Sequence, residues 1–197
     1  MTVYKTPAQP HRCEFIEKKS RFIIYTEQVN DENEFKAFLT RTKQQYPDAG
    51  HHCYGFRIGP SSSAKRGFSD DGEPSGTAGM PILNVIDHSE FSDIAIIVVR
   101  YFGGIKLGTG GLTRAYSQAA KLAIEQLPYR FFEKKVQIRI QCDFSEENQV
   151  RHLLAQNQGE IKEVNYEAGV NIHAQLSEIA LTQLREHNLA ISSEPDS

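Results

Sequence analysis

The sequence has 197 residues, 39% of them hydrophobic and 24% charged, which is enough for one well-buried domain or two small ones. No apolar run approaches the ~20 residues of a membrane span, no apolar secretory signal is visible, and the three cysteines are widely spaced. The composition therefore favours a soluble cytoplasmic protein over a membrane protein or a secreted disulfide scaffold.

The net charge of −3 argues against a general polyanion binder, but the charge is unevenly distributed. Residues 1–130 hold 16 Lys+Arg and 14 Asp+Glu, whereas residues 131–197 hold 6 and 11. The first part is therefore slightly basic and the second acidic, which indicates two units with different partners.

The pattern of the first part predicts short strands and helices. Asp31 and Glu34 match a capping box, so a helix is expected to begin at Asn30 or Asp31 and to end near Tyr46-Pro47. Residues 60–76 have the composition of a long loop, and Ser75 or Thr77 is expected to cap the helix after it. The other predicted elements are strands at Glu14–Lys18, Arg21–Thr26, His51–Ile58 and Ile94–Val99, and helices at Thr77–Asp87 and from Thr109 to Pro128.

Beyond residue 130 the pattern predicts a second unit of the order βαββα. Its elements are strands at Val136–Cys142, Ile161–Tyr166 and Val170–Leu176, a helix capped by Ser145 and a last helix at Glu178–His187. This order is typical of a ferredoxin-like half-sandwich. We therefore expect an α+β protein of two domains, residues 1–130 and 131–197.

A glycine-rich segment lies between the buried strand at Ile94–Val99 and the following helix. Its five glycines permit backbone N–H groups to converge, and a helix N-terminus attracts anions. Thr109 is the expected N-cap, and cations flank the turn. The residues expected to bind an anion here are Arg100, Gly103, Gly104, Lys106, Gly108, Thr109, Gly110, Gly111 and Arg114.

The spacing of these glycines matches neither the P-loop nor the dinucleotide-binding fingerprint, so no nucleotide cofactor is expected. The alternative is that the glycines only allow the strand and the helix to pack closely. Both interpretations remain open from the sequence.

Two further groups of residues are candidates for metal binding or catalysis. Asp70, Asp71 and Glu73 lie within four residues and offer oxygen ligands for a hard cation such as Mg²⁺, although the same sequence is also good turn chemistry. His51 and Cys53 share one face of a strand, so they are candidates for metal ligation or for a Cys nucleophile with a His base. No zinc-ligand spacing and no orienting third group supports either, and no metal is expected.

Taken together, these motifs resemble the IMPACT family, in particular its bacterial YigZ-like branch. The resemblance rests on four segments, which are residues 18–23 (KKSRFI), 51–57 (HHCYGFR), 69–82 (SDDGEPSGTAGMPI) and 98–116 (VVRYFGGIKLGTGGLTRAY). It implies an N-terminal domain like the second domain of ribosomal protein S5, an α/β sandwich, and a ferredoxin-like C-terminal domain. It further implies a role in translation, because eukaryotic relatives interfere with activation of a kinase of the initiation pathway.

Three functions follow as hypotheses. The first is a non-enzymatic RNA- or ribosome-associated factor that contacts phosphates, with Lys65 and Arg66 added to the cations of the glycine segment. The second is a metal- or Cys-dependent hydrolase that uses the acidic loop and the His-His-Cys strand. The third is a protein-interaction module that acts on a translation regulator. The sequence does not indicate an oligomeric state.

Overall fold

The continuous apolar strand expected near residue 94 forms the centre of the larger sheet. In the computed structural model, which describes residues 3–60, 62–187 and 189–193, this strand runs from Ile94 to Tyr101 and is buried along almost its whole length. A strand that is apolar at successive positions is covered on both faces of its sheet. Helices therefore pack on both faces of the sheet around this strand.

The chain divides into two compact units, one of which is Tyr4–Phe132, while the other begins at Glu133 and also includes Val3 at the start of β1. The elements of the first are β1 (Val3–Pro7), β2 (His11–Glu17), β3 (Ser20–Gln28), α1 (Glu32–Gln45), β4 (His51–Ile58), β5 (Lys65–Ser69), α2 (Gly79–Asp87), β6 (Ile94–Tyr101), α3 (Thr109–Gln126) and β7 (Tyr129–Glu133).

Strands β2 to β6 form one antiparallel sheet in the order β2-β3-β6-β4-β5. Alternate residues of its strands point to opposite faces. Ile24 and Val98 pack with Tyr116 of α3 and with α2 on one face, whereas Ile23 and Val99 pack with the helix α1 on the other. The two apolar cores thus lie on opposite sides of one sheet, and β1 and β7 form a separate two-stranded ribbon.

The second unit is a four-stranded antiparallel sheet with two helices. Its elements are β8 (Lys135–Cys142), α4 (Glu147–Gln156), β9 (Glu160–Tyr166), β10 (Val170–Ser177), α5 (Glu178–Arg185) and β11 (Ala190–Ser193). The strand order β11-β8-β10-β9 is that of a ferredoxin-like fold. Ile138, Ile140 and Ile172 pack with Val150 and Leu154 of α4 in its core.

The mixed α+β fold in two domains is confirmed, and the differences from the prediction are local. Part of the expected loop at residues 60–76 is the strand β5, which pairs with β4. The N-caps of α2, α3 and α4 are Ala78, Gly108 and Glu146, without a side-chain capping bond, so Ser75, Thr77, Thr109 and Ser145 do not cap these helices as predicted. The short strands β1, β7 and β11 were not predicted.

In the described ranges, no helix combines the length and the apolar character that crossing a bilayer requires.

Candidate functional site

The acidic loop after β5 is organised by Asp70. Its carboxylate accepts hydrogen bonds from the backbone N–H groups of Gly76, Ala78 and Gly79 at 2.8, 2.9 and 2.8 Å. Burial raises the pKa of Asp70, but these three donors outweigh it, so that the pKa lies below its ordinary value. Asp70 therefore supplies the cap that α2 lacks locally, from nine residues before the helix begins.

Asp71 connects the same loop to the start of β4 through hydrogen bonds. Its carboxylate accepts from the backbone N–H of His52 at 2.7 Å and from the Lys43 ammonium at 3.2 Å. The ring Nδ1 of His51 lies 2.9 Å from the carbonyl oxygen of Asp71. The carboxylates of the loop are thus engaged with backbone and side-chain donors of the protein itself.

Glu73 reaches the interior and meets Arg100 from the end of β6. The Arg100 guanidinium donates to Glu73 Oε1 from Nη1 at 2.6 Å, and the hydroxyl of Tyr116 donates to the same oxygen at 2.8 Å. Arg100 is only 5% exposed. Its Nη2 also donates to the hydroxyl of Ser20 at 3.2 Å, so the cation is held inside the fold.

This placement corrects the expected role of Arg100. We predicted a cation at the surface of the glycine turn, but the side chain is buried beneath it and neutralised by Glu73. A buried charge is tolerated when it is paired and hydrogen-bonded. Arg100 therefore does not offer its charge to a phosphate.

The Cys53 thiol lies fully buried beside the same cluster. Its Sγ is 3.0 Å from the carbonyl oxygen of Asp70 and 3.3 Å from the hydroxyl of Tyr116. Burial, more than the nearby carboxylates, raises the pKa of Cys53 to about 12. The thiol is therefore protonated at neutral pH.

This geometry contradicts a nucleophilic role for Cys53. A nucleophilic thiol needs a lowered pKa and access to substrate, and Cys53 has neither. The imidazole of His51 is directed to Asp71 and stands 3.8 Å from Glu73, so it is not the base of a Cys–His pair. Across the described part of the chain, no three His, Cys, Asp or Glu side chains come together as ligands for a metal ion.

The glycine segment lies directly after β6, and two of its glycines have clear conformational reasons. A Cβ on Gly103 would stand 2.0 Å from the carbonyl carbon of Lys19, so this position requires close contact with the β2–β3 turn. Gly104 has a φ of 85°, in the left-handed region that favours glycine. Gly103 thus allows close packing against the β2–β3 turn and not the expected packing of the strand on the helix, whereas a Cβ on Gly110 would meet no backbone of another element within 4 Å.

The contact at Gly103 brings two basic segments together. The turn at Lys18 and Lys19 packs against Gly103 through its backbone, and both residues are exposed. Lys106 lies in the glycine segment, and Arg114 lies on the first turns of α3 with its Nη1 near Gly110. We call the four cations Lys18, Lys19, Lys106 and Arg114 the basic surface.

Lys65 and Arg66 do not join the basic surface. They lie on β5, at the far edge of the sheet from β2 and β3, and they pair with Ile58 and Arg57 of β4, whereas the opposite end of β4 pairs with Arg100. Lys65 forms an ion pair with Glu32 at 2.9 Å and Arg66 with Asp87 at 2.9 Å. The two residues named with the cations of the glycine segment therefore lie on a different strand from it, and both are ion-paired.

Sequence reasoning also missed two members of this region. It did not place Lys18 and Lys19 among the anion-binding residues, because their contact with Gly103 spans more than eighty residues of chain. In the structure the two residues form the two-residue loop between β2 and β3, with left-handed φ of 46° and 66°. Ser20, which accepts from Gly103 N–H at 3.3 Å, was equally inconspicuous.

Comparison with known proteins identifies both units. Residues 18–124 match the Impact N-terminal domain, and residues 140–186 match a domain of unknown function, DUF1949. A solved structure described as a hypothetical protein is 34% identical, with a TM-score of 0.70 over all of both chains.

Several bacterial relatives are similar over most of their length. The chain is 38% identical to the IMPACT family member YigZ of Escherichia coli, over 89% of this chain and 87% of YigZ. It is 38% identical to an IMPACT family member of Haemophilus influenzae, over 82% and 79%, and 33% identical to YvyE of Bacillus subtilis, over 89% and 80%. The chain therefore belongs to the IMPACT family.

Proposed function

We propose that the chain is a non-enzymatic factor in the regulation of translation that binds RNA or the ribosome through phosphate contacts. The observation that carries this proposal is the packing of the exposed Lys18–Lys19 turn against Gly103, in the segment that contains Lys106 and leads into Arg114 on α3. None of Lys18, Lys19, Lys106 and Arg114 forms an ion pair with any residue in the described ranges.

The pairing of the other cations in this unit makes the basic surface distinctive. Most of them are neutralised by nearby carboxylates, and they are Lys5, Arg12, Arg21, Arg41, Lys43, Arg57, Lys65, Arg66 and Arg100. Unpaired cations that lie together raise the local concentration of an anionic partner even on a chain with a slightly negative net charge. The basic surface is thus locally positive although the net charge of the whole chain is −3.

The backbone adds to the attraction for phosphate. The N-terminus of α3 has no side-chain cap, so its first N–H groups and the positive end of the helix dipole remain available to an anion. Thr109 and Gly110 at this end are exposed. Phosphate contacts of this kind position a protein on RNA without reading its sequence.

Binding of RNA at different salt concentrations tests the proposal. We expect fluorescence anisotropy with bulk cellular RNA to show an affinity that falls steeply as salt rises, and K106A/R114A to reduce the logarithmic salt slope by about 1.4, at about 0.7 per lost single-strand phosphate contact. K36A on α1, across the sheet, is the matched control for K106A. Salt-insensitive binding, or an unchanged K106A/R114A variant, would contradict the proposal.

A second candidate function, docking of a translation-regulatory protein, is favoured by a separate observation. An open groove of about 1030 Å³ lies between α2 and α3, with Met80, Val85 and Ile124 among its apolar lining residues. Helix-lined apolar grooves are a common mode of peptide recognition. M80D is expected to abolish in-cell crosslinking to such a partner without changing RNA affinity, and equal crosslinking by the wild type and M80D would contradict this function.

A further inference from the structure

An exposed aromatic ring stands in the middle of the glycine segment. Phe102 is 56% exposed, and Ile105 in the same segment is 43% exposed. A phenylalanine that is about half exposed forgoes part of the roughly 1.5–3 kcal/mol that its full burial would give. The position of Phe102 at a basic surface therefore needs an explanation other than packing of the core.

Arg100 supports the ring from the side of the protein. The guanidinium carbon of Arg100 lies 5.7 Å from the centroid of Phe102 and 5.6 Å from that of the buried Phe22. Because Arg100 is itself fixed by Glu73 and Ser20, the cation–π contact holds the exposed ring against a rigid base. Phe102 is thus presented to solvent in a defined place.

The ring is next to the cations of the basic surface along two routes. Gly103, the following residue, contacts the backbone of Lys19 and donates its N–H to Ser20. Lys106 follows four residues after Phe102 in the same segment. An aromatic ring and unpaired cations therefore occur in adjoining segments, which is the combination that proteins use to bind single-stranded nucleic acids.

We propose that Phe102 is a stacking platform for a nucleobase, so that the basic surface selects single-stranded RNA over duplex RNA. In a duplex the bases are already stacked and paired, and a protein meets mainly phosphates and 2′-hydroxyls, whereas a single strand can place an unstacked base on an aromatic ring. This inference rests on the proposed RNA-binding function and names the class of RNA.

A structural role predicts a different outcome for the same residue. If Phe102 only shields the Arg100–Glu73 pair from water, a leucine of similar bulk preserves its function and a loss of the aromatic face changes nothing in binding. F102L and F102W therefore separate the two roles. The chain has no tryptophan, so F102W also provides a fluorescence signal from this position alone.

The experiment uses the full chain and three labelled probes of equal length, which are an oligouridylate, the same backbone without bases and an RNA duplex. We expect F102L to weaken binding of the oligouridylate by about 5- to 150-fold, the range of one aromatic–base stack, and to leave binding of the other two probes within about twofold. F102W is expected to bind the oligouridylate as tightly as the wild type, with quenching of its fluorescence. Circular dichroism confirms that each variant is folded.

Three results would overturn the inference, and they differ in what they reject. Equal affinity of F102L and the wild type for the oligouridylate, with binding still lost in K106A/R114A, would reject the stacking role and leave phosphate binding intact. Failure of the wild type to bind any of the probes would reject the RNA-binding function and the stacking role together. F102W fluorescence that the oligouridylate does not quench while it binds would also reject the stacking role.

Discussion

Arg100 Nη1 and Glu73 Oε1 are 2.6 Å apart in the interior of the first unit, and they join the end of the central strand to the acidic loop. The same arginine donates to Ser20, whose hydroxyl also accepts from Gly103 N–H. A chain of contacts therefore connects the acidic loop, the buried cation and the glycine segment. The buried ion pair is thus linked to the proposed binding surface through Ser20.

Removal of one partner of this pair is expected to destabilise the protein strongly. E73L leaves the Arg100 charge buried without a carboxylate, which costs about 3–5 kcal/mol of unfolding free energy. Urea denaturation followed by circular dichroism measures the effect. E90L is the matched control because Glu90 forms an ion pair with Lys5 while its side chain is 77% exposed, and such pairs contribute less than about 1 kcal/mol.

The double variant R100M/E73L makes the test specific. Replacing both charges by apolar side chains removes the unpaired cation, so this variant is expected to be more stable than E73L. If E73L instead unfolds at the same urea concentration as the wild type, the pair does not hold the loop.

Asp70 predicts a pH-dependent contribution to stability. Because its backbone hydrogen bonds hold the pKa below the ordinary value of 3.8, the stabilisation is present above pH 4 and is lost as pH falls through the lowered pKa. D70A is expected to lower the unfolding free energy by about 1–2 kcal/mol at pH 7, as loss of a helix cap does. The difference from the wild type should shrink toward pH 2 in denaturation measured across that range.

D48A is the control for this prediction, since Asp48 accepts one hydrogen bond from the exposed Tyr101 hydroxyl. It is expected to cost less than D70A at pH 7. A difference between D70A and the wild type that stays constant from pH 7 to pH 2 would show that the Asp70 charge does not contribute.

The elements that could be predicted from sequence are those with a local physical signature. The unbroken apolar run marked β6 because both faces of that strand are covered. Asp31 marked the start of α1 because its carboxylate does accept from the N–H groups of Asn33 and Glu34. In both cases the interacting or patterned residues lie within a few positions of each other along the chain, so the local sequence is enough to predict the element.

The features that sequence reasoning missed depend on contacts between distant residues. The partner of Arg100 is 27 residues away in the acidic loop, and a lone arginine beside glycines looks the same whether it is buried or exposed. The capping of α2 by Asp70 bypasses the serine and threonine that stand at the expected place. The basic surface required the close approach of Lys19 to Gly103, which no local pattern reports.

The buried thiol of Cys53 predicts chemical inertness in the folded protein. With its pKa raised to about 12 by burial, almost no thiolate is present at pH 8, and the thiolate is the reactive form. Iodoacetamide at pH 8 is expected to leave Cys53 unmodified in native protein and to modify it in urea, as measured by peptide mass spectrometry. Cys13, which is only partly buried, serves as the internal control and should react faster.

The same raised pKa has a consequence at alkaline pH. A group whose pKa is higher in the folded state stabilises the fold below its ordinary value, 9.0 for cysteine, and that contribution is lost as pH rises toward 12. C53A is therefore expected to lose less stability than the wild type between pH 9 and pH 12. Rapid native labelling of Cys53 would contradict both expectations.

Two glycines of the same segment should respond oppositely to alanine. G103A places a Cβ 2.0 Å from the backbone of Lys19, and neither backbone can yield without moving the turn or the end of β6. We expect a loss of several kcal/mol in unfolding free energy, as for other overpacked positions, together with weaker RNA binding because the Lys18–Lys19 turn is displaced. G110A is the matched control, since its Cβ meets only the flexible end of Arg114 at 3.6 Å and alanine favours the helix by up to about 1 kcal/mol. Thermal unfolding of the two variants measures the difference. Equal melting temperatures for G103A and G110A would mean that the close approach of Gly103 to Lys19 is not needed for the fold.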